Sequence, residues 1–404
     1  MTPGCPPTGR RLDLKVEQSM DFDLTSEQQL LQDSVRRFID KTYGFEARGR
    51  LLKEGRNGSP ANWSMFADNG WLMAALPEAH GGLGGTLPDT AIIAQEFGRA
   101  LVVEPYIGCA VLAAQTLVAG GTAGQKDRLL PLLGAGALRM ALAYSEPGSR
   151  GMPEPVSLRA ERDGDGYVLH GRKSLVLGGV GAVGPQVFIV SAQVPGVDGV
   201  TLLLVDADAP GLHRQPLPLH DGTWAEELTF DGVRVPADAV LGEPGHGLAA
   251  LHAGLASGIV ALCASLIGAM EKTIELTAEY LKTRQQFGVP IGAFQALQHR
   301  MADMASEFEV ARSMLHVALA SLVNDDAATQ QRKLSAAKML VCRAAKSVCG
   351  QGIQLHGGIG MTEEYSVGHY YKYAIVADLL LGSSDSHEAA SAAALQADLR
   401  ARAA

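Results

Sequence analysis

The sequence predicts a multidomain α+β protein: an N-terminal helical domain, a central antiparallel β-barrel or β-sandwich domain, and a C-terminal four-helix bundle. Three observations predict this order. Helical apolar spacing covers 20–138, short strand patterns joined by turns cover 139–244, and long helical patterns joined by short turns cover 245–404. The chain has 404 residues, 47% of them hydrophobic, which is enough for three packed units.

The N-terminal domain begins after a different kind of segment. Residues 1–19 are polar with Pro and Gly, and we expect them to form a disordered extension. Thr25 and Ser26 are N-cap candidates for a first helix, with Gln28 and Gln29 three residues on. Further helical patterns cover about 61–73, 87–100, 104–119 and 123–135.

The middle of the chain has six strand patterns, from MALAYS at residue 140 to EELTFDGVRVP ending at residue 236. The DGDG run over 163–166 predicts a hairpin turn between two of them. No helical spacers separate the strands, which favours an antiparallel barrel or sandwich over a dinucleotide-binding fold. A bound flavin or nucleotide would therefore be held in some other way.

The last third of the chain is helical again. Helical patterns cover about 247–284, 293–323, 328–354, 365–376 and 380–400. Long helices joined by short turns predict a bundle of antiparallel neighbours.

Composition limits the classes of partner. A formal charge of −9 and a pI near 5.7 argue against nucleic acid and anionic membrane surfaces. The five cysteines form no CxxC pair, which predicts buried, reduced thiols in a cytoplasmic protein. We expect no run that approaches the apolar length needed to span a bilayer. No cluster has the residue spacing of a metal site or a Ser/His/Asp hydrolase.

Two stretches carry most of the functional information. In YLKTRQQFGVPIGAFQALQHRMADM (280–304), Arg284 lies in the last turn of a helix, which Gly288 and Pro290 end before another helix begins near Ala293. QLHGGIGMTEEYSVGHYYKYA (354–374) follows a helical pattern. Taken singly, the first is also typical of a helical hairpin with a surface arginine, and the second of a helix C-cap with a turn.

Together, and in this order, the two stretches resemble signatures of the acyl-CoA dehydrogenase family. The resemblance extends from Met20 to about Ala394 and in detail is nearest to the small subunits of pimeloyl-CoA dehydrogenases. It implies 2,3-desaturation of an acyl-CoA thioester, FAD as the hydride acceptor, and electron-transfer flavoprotein as the next acceptor. The cofactor-binding residues that it implies are Arg284 at the pyrophosphate, Phe287 and Gln295 on the FAD, and Gln354, Gly357 and Gly358 at the FAD of a second subunit.

The flavin-ring contacts match the family less well. AYSEPGS (143–149) resembles the loop that meets the ring, with Ser145 where the family usually has Thr. Leu175, Val176 and Leu177 stand where the family has Trp-Ile-Thr, so an aromatic wall and a hydroxyl donor are missing.

The catalytic base is missing from both places where the family carries it. The usual Glu of a Glu-Gly-Thr motif aligns with Leu381, and the second location, on the helix before Arg284, aligns with Gly258. Removal of the α-proton needs a carboxylate within hydrogen-bond reach. Asp378, one helical turn before Leu381, is a weak substitute.

Other candidates near the missing base have simpler interpretations. Asp385 aligns with a position that touches adenosine, and His387 and Glu388 are expected to be solvated. His356 and His369 belong to the family's structural signature, so we expect them to orient or pack neighbouring groups.

Two hypotheses follow from the resemblance. In one, the chain is a flavin subunit with a relocated base, active as a homodimer or homotetramer. In the other, it lacks a base, completes an FAD site and docks a larger catalytic subunit in an α2β2 assembly. A family relative with oxidase or monooxygenase chemistry is a third possibility. The pimeloyl resemblance implies a medium-chain or dicarboxylyl thioester as the substrate.

Overall fold

The computed structural model describes residues 24–54 and 58–403. It confirms the order of helical domain, β-domain and helical bundle. The extension expected for residues 1–19 lies outside the described residues. Cys109, Cys263, Cys342 and Cys349 are buried free thiols, as the sequence predicted.

The described residues of the N-terminal domain form six α-helices. They are Ser26–Thr42 (α1), Phe45–Lys53 (α2), Pro60–Asp68 (α3), Leu87–Ala100 (α4), Ala114–Gly120 (α5) and Ala123–Gly134 (α6). Thr25 caps α1 through a reciprocal pair of hydrogen bonds with Gln28, as predicted. Helix α2 was not predicted. The helix predicted over 104–119 is instead a π-helix, Tyr106–Ala113, followed by α5.

The β-domain is a sandwich of two sheets. Its strands are Met140–Ala143 (β1), Arg159–Asp163 (β2), Gly166–Val176 (β3), Val187–Ala192 (β4), Thr201–Asp206 (β5), Leu212–Pro218 (β6) and Trp224–Val235 (β7). One sheet has the order β1-β4-β5 and the other β2-β3-β7-β6. The expectation of antiparallel pairing holds except at β1 and β4, which run parallel. The predicted hairpin joins Asp163 to Gly166, whereas β6 was not predicted.

The C-terminal domain is built around one long helix. Its helices are Leu248–Thr283 (α7), Gln295–Asn324 (α8), Ala327–His356 (α9), Val367–Leu379 (α10) and Ser384–Ala403 (α11). A two-stranded hairpin, Gln285–Gln286 (β8) with Val289–Pro290 (β9), separates α7 from α8.

The expectation about apolar length was wrong at α7. Among the described helices, α7 alone is long and apolar enough to cross a membrane. However, 89% of its most apolar window is buried inside the protein. Its hydrophobicity is accounted for by packing, because neighbouring helices cover it on several sides.

The N-terminal domain packs directly on α7. A Cβ built on Gly98 of α4 would lie 1.9 Å from the Ser265 carbonyl oxygen, and one on Gly268 would lie 1.9 Å from the Gln95 carbonyl oxygen. Only glycine at both positions permits this backbone approach. Side chains of the two helical domains share one hydrophobic core, which also takes in residues of β1, β4 and β5, and the β-domain has a second core of its own.

Candidate active site

A cavity of about 110 Å³ lies where the three domains meet, and we call it the central cavity. Its walls are mainly apolar and come from α4 and the loop after it, from the β-domain, and from α7 and α10. Representative lining residues are Phe97, Tyr106, Leu177, Trp224, Leu262 and Leu381. A largely apolar cavity with a few polar groups at a domain junction is a typical small-molecule site.

The two positions of the missing base meet beside this cavity. Leu381 is buried and lines it. A Cβ on Gly258 would lie 3.3 Å from Leu381 Cδ1 and 2.3 Å from Leu112 Cδ2. The two positions, far apart in sequence, are therefore neighbours in the fold. Neither of them supplies a carboxylate.

The turn that carries Leu381 is firmly held. Leu381 has φ +58° and Gly382 has φ +89°, both in the left-handed region. His387 Nε2 lies 2.8 Å from the Leu381 carbonyl oxygen and Nδ1 lies 3.0 Å from Ser335 Oγ. Because Nε2 must donate to the carbonyl, Nδ1 accepts from the Ser335 hydroxyl. The expectation that His387 is solvated was wrong, since it is 4% exposed and burial lowers its pKa.

The carboxylates near this turn form structural ion pairs and hydrogen bonds. Asp378 Oδ2 lies 2.8 Å from Lys346 Nζ, and Oδ1 accepts from the Ser384 amide at the start of α11. Asp378 does not line the central cavity. Asp385 and Glu388 face Arg343 on the surface.

Two carboxylates that the sequence analysis did not single out do line the central cavity. Asp221, in the turn between β6 and β7, is 4% exposed, and burial raises its pKa. Glu104, in the loop after α4, is also 4% exposed. An Asp-Gly turn is normally a surface feature, so no signal in the sequence marked Asp221.

A smaller cavity lies on the other side of Leu381. It is lined by α7, α9 and the loop after β1, including Met152, His252, Gln331 and Leu381 itself. Leu381 therefore lies between the two cavities, and one long ligand could extend from the first cavity into the second.

The first of the two stretches, residues 280–304, forms an exposed corner. Phe287 and Gly288, with φ +55° and +83°, make the tight turn of the β8–β9 hairpin. Phe287 is 92% exposed, and its ring meets that of Phe294 edge-on at 6.0 Å. Arg284 and Gln295 are exposed on either side of this hairpin, and the Arg284 guanidinium has no partner among the described residues.

The second stretch, residues 354–374, lies at the same end of the bundle. The rings of Tyr280 and His356 stack at 4.5 Å, which joins the end of α7 to the end of α9. His356 Nδ1 lies 2.7 Å from the Gly352 carbonyl oxygen, in keeping with the packing role expected for it. Gln354, Gly357 and Gly358 follow on the surface. A Cβ at either glycine would meet nothing within 4 Å, so the surface here is open.

These features fit the implied FAD. An unpaired cation suits a pyrophosphate, an exposed phenylalanine suits a ring, and open glycine backbone permits close approach. The set lies on the surface of one chain, as expected if a second subunit covers it. Ser145, by contrast, is buried, with its Oγ 3.4 Å from Ser149 Oγ. The Ser145 hydroxyl is therefore not turned outward.

The loop around Ser145 is anchored by a buried ion pair. Glu146 Oε1 lies 2.7 Å from Lys173 Nζ, and Glu146 also accepts from the Ser157 and Leu158 amides. Burial would raise the pKa of Glu146, but the Lys173 ammonium and these hydrogen bonds outweigh it and lower the pKa. The pair fixes the loop against β3, which ends at Val176, next to the cavity-lining Leu177.

Comparisons with known proteins show the family. Residues 25–137 match the family description "Acyl-CoA dehydrogenase, N-terminal domain", and residues 245–396 match "Acyl-CoA dehydrogenase, C-terminal domain". A mitochondrial 2-methylacyl-CoA dehydrogenase from Solanum tuberosum is 30% identical over 80% of this chain and 79% of its own length.

Two solved structures have the same fold over nearly the whole chain. The ChsE4–ChsE5 complex from Mycobacterium tuberculosis gives a TM-score of 0.85 at 26% identity, covering 93% of this chain and 99% of the matched chain. A structure described as an FAD-dependent dehydrogenase gives 0.81 at 25% identity, covering 93% of this chain and all of the other. The chain belongs to the acyl-CoA dehydrogenase family of FAD-dependent oxidoreductases.

Proposed function

We propose that this chain is a base-lacking subunit of an FAD-dependent acyl-CoA dehydrogenase that desaturates an acyl-CoA thioester between carbons 2 and 3. One observation carries the proposal: Leu381 lines the central cavity, Gly258 lies directly beside Leu381, and neither bears a carboxylate. A larger chain that retains the Glu would complete the enzyme in an α2β2 assembly. The ChsE4–ChsE5 relative, a complex of two differently named chains, is a precedent.

In this proposal, the cofactor and the two cavities have different roles in the reaction. FAD, when bound, supplies the hydride acceptor. The apolar walls of the central cavity hold the acyl group and keep water away from the reacting carbons. The cavity beyond Leu381 offers a route for the rest of the thioester. Electron-transfer flavoprotein would then reoxidise the flavin.

One alternative keeps the base inside this chain. Asp378 is a poor choice, because both of its oxygens are engaged away from the cavity. Asp221 is the better one, because it lines the same cavity as Leu381 and its pKa is raised by burial. In that case the chain would be active as a homo-oligomer.

An anaerobic titration separates the two readings. Purified FAD-loaded protein is mixed with straight-chain acyl-CoAs while flavin absorbance is followed. We expect the flavin to stay oxidised with this chain alone and to bleach when the Glu-bearing partner is added. Bleaching by the wild-type chain alone would refute the base-lacking proposal and make Asp221→Asn the next variant.

The Leu381→Glu variant tests the same proposal within one chain. It places a carboxylate where the two base positions meet, so we expect acyl-CoA to bleach the flavin of this variant. Leu379→Glu is the matched control, because Leu379 is 57% exposed and lies two residues earlier. A Leu381→Glu protein that binds acyl-CoA but never bleaches would count against the assignment of this position.

A further inference from the structure

The charged side chains that line the central cavity are all of one sign. Two carboxylates line it, Asp221 and Glu104, and no Lys, Arg or His is present among the described residues of its wall. The other polar lining groups are neutral hydroxyls such as those of Thr223, Ser265 and Tyr373. The wall therefore offers no countercharge to an anionic ligand.

Asp221 is held in place through one oxygen. Its Oδ1 accepts from the Thr223 amide at 3.0 Å and from the Thr223 hydroxyl at 2.7 Å. Within the described part of the chain, Oδ2 has no donor from another residue. A buried carboxylate with one free oxygen can accept a hydrogen bond from a neutral group, but it repels a second carboxylate.

Glu104 adds a second buried carboxylate to the same wall. Its Oε1 accepts from the Ser59 amide at 3.0 Å and from Asn62 Nδ2 at 2.7 Å. Oε2 of Glu104 is buried without a hydrogen bond. Burial raises the pKa of the neighbouring Tyr43, and the charge of Glu104 raises it further. The carboxylate is thus fixed where it stands.

The buried cation behind Asp221, Arg48, already has partners of its own. Arg48 donates through Nε to the Leu101 carbonyl at 2.8 Å and through a terminal nitrogen to the Asp221 carbonyl at 2.7 Å. Its other terminal nitrogen lies 3.4 Å from His369 Nδ1. The guanidinium is only 2% exposed and supports the Asp221 backbone from behind, so it cannot turn to a ligand.

From this arrangement we infer that the central cavity accepts only neutral acyl groups, and that Asp221 is the residue that rejects an acyl chain ending in a carboxylate. The inference rests on the proposed function, in which an acyl thioester occupies this cavity. It separates the two substrate classes that the family resemblance left open: a medium-chain acyl group fits, and a dicarboxylyl group such as pimeloyl does not.

The test compares two ligands that differ only at the chain end. Heptanoyl-CoA and pimeloyl-CoA each carry seven acyl carbons, ending in a methyl group or a carboxylate. Isothermal titration calorimetry of the FAD-loaded protein gives both dissociation constants without any turnover. We expect pimeloyl-CoA to bind at least about 30-fold more weakly, because a buried like-charge contact is strongly unfavourable.

Asp221→Asn removes the charge and keeps an oxygen that can accept from Thr223. We expect the discrimination between the ligands to fall at least about tenfold, with heptanoyl-CoA affinity within threefold of wild type. Glu227→Gln, an exposed carboxylate on β7, is the matched control and should leave both constants unchanged. Urea unfolding of each variant checks that the fold is retained.

The outcomes are distinguishable. Equal or tighter binding of pimeloyl-CoA to the wild-type protein overturns the inference and leaves the proposed function intact. Weaker pimeloyl-CoA binding that Asp221→Asn does not relieve overturns the role of Asp221. Failure of heptanoyl-CoA itself to bind overturns the proposed function, and the inference falls with it.

Discussion

At the scale of single residues, Arg284 is the implied FAD contact that is simplest to test. Its guanidinium is exposed and unpaired in the described structure, so replacement should not disturb the fold. A charge-assisted hydrogen bond to phosphate contributes about 1.5–3 kcal/mol, so Arg284→Gln should weaken FAD binding roughly 10- to 100-fold. Equilibrium dialysis of the apoprotein with FAD measures this.

The control for Arg284 is Arg234→Gln on β7. Arg234 is 74% exposed and forms an ion pair with Asp163. It lies outside both of the stretches that carry the implied FAD contacts. Its replacement should leave FAD affinity unchanged. Equal losses in both variants would mean that overall charge, and not a contact at Arg284, governs the affinity.

The residue scale also shows what sequence could predict of the site. Leu381 and Gly258 were identified because each aligns with a family position of the base, and in the structure a Cβ on Gly258 would lie 3.3 Å from Leu381 Cδ1. Asp221 could not be identified, because it is buried among parts of the chain that are distant in sequence, such as Arg48, which lies 173 residues away and donates to its carbonyl. The side chain of His387 was misjudged for the same reason: Ser335 on another helix encloses it.

At the scale of elements, the junction between α10 and α11 depends on Asp378. Asp378→Asn removes the ion pair with Lys346 but can keep the hydrogen bond to the Ser384 amide. We expect a loss of about 1–2 kcal/mol in the free energy of unfolding at pH 7, measured by urea titration. Flavin reduction should not change, because Asp378 does not line the cavity.

The pH dependence of this loss has a definite sign. Burial would raise the pKa of Asp378, but Lys346 and Ser384 outweigh it, so the folded-state pKa lies below the unfolded value. The stabilisation is therefore full above the unfolded pKa of about 4 and disappears as pH falls through the folded pKa. The free energies of unfolding of wild type and Asp378→Asn should therefore become equal in acid. Asp385→Asn, at an 88% exposed position, should match wild type throughout.

The elements differ in how well sequence predicted them. The boundaries of α1 and α7 followed from a capping box and from the Gly/Pro corner, which are local signals. Strand β6, LHRQPLP, was missed because two prolines and alternating polar residues are typical of a loop, although an edge strand tolerates both. The parallel β1–β4 pair is set by long-range packing, and no local pattern predicts it.

At the scale of the whole molecule, Arg48 ties the three domains together. It extends from α2 of the N-terminal domain, its guanidinium contacts the β6–β7 turn at Asp221, and it reaches His369 on α10 of the bundle. Because the central cavity lies where these domains meet, the geometry of its wall depends on this one side chain. Arg48 therefore stabilises the site without touching its occupant.

Arg48→Met retains the apolar stem and removes the donors, leaving the Leu101 and Asp221 carbonyls buried without their partner. Each loss costs about 1–3 kcal/mol, so the free energy of unfolding should fall by roughly 2–5 kcal/mol in urea titrations. Amide hydrogen exchange at Thr223 should accelerate, because the turn that holds it loses its support. Arg50→Met, exposed on the same helix, is the control. A loss below about 1 kcal/mol with unchanged exchange would show that packing alone holds the domains together.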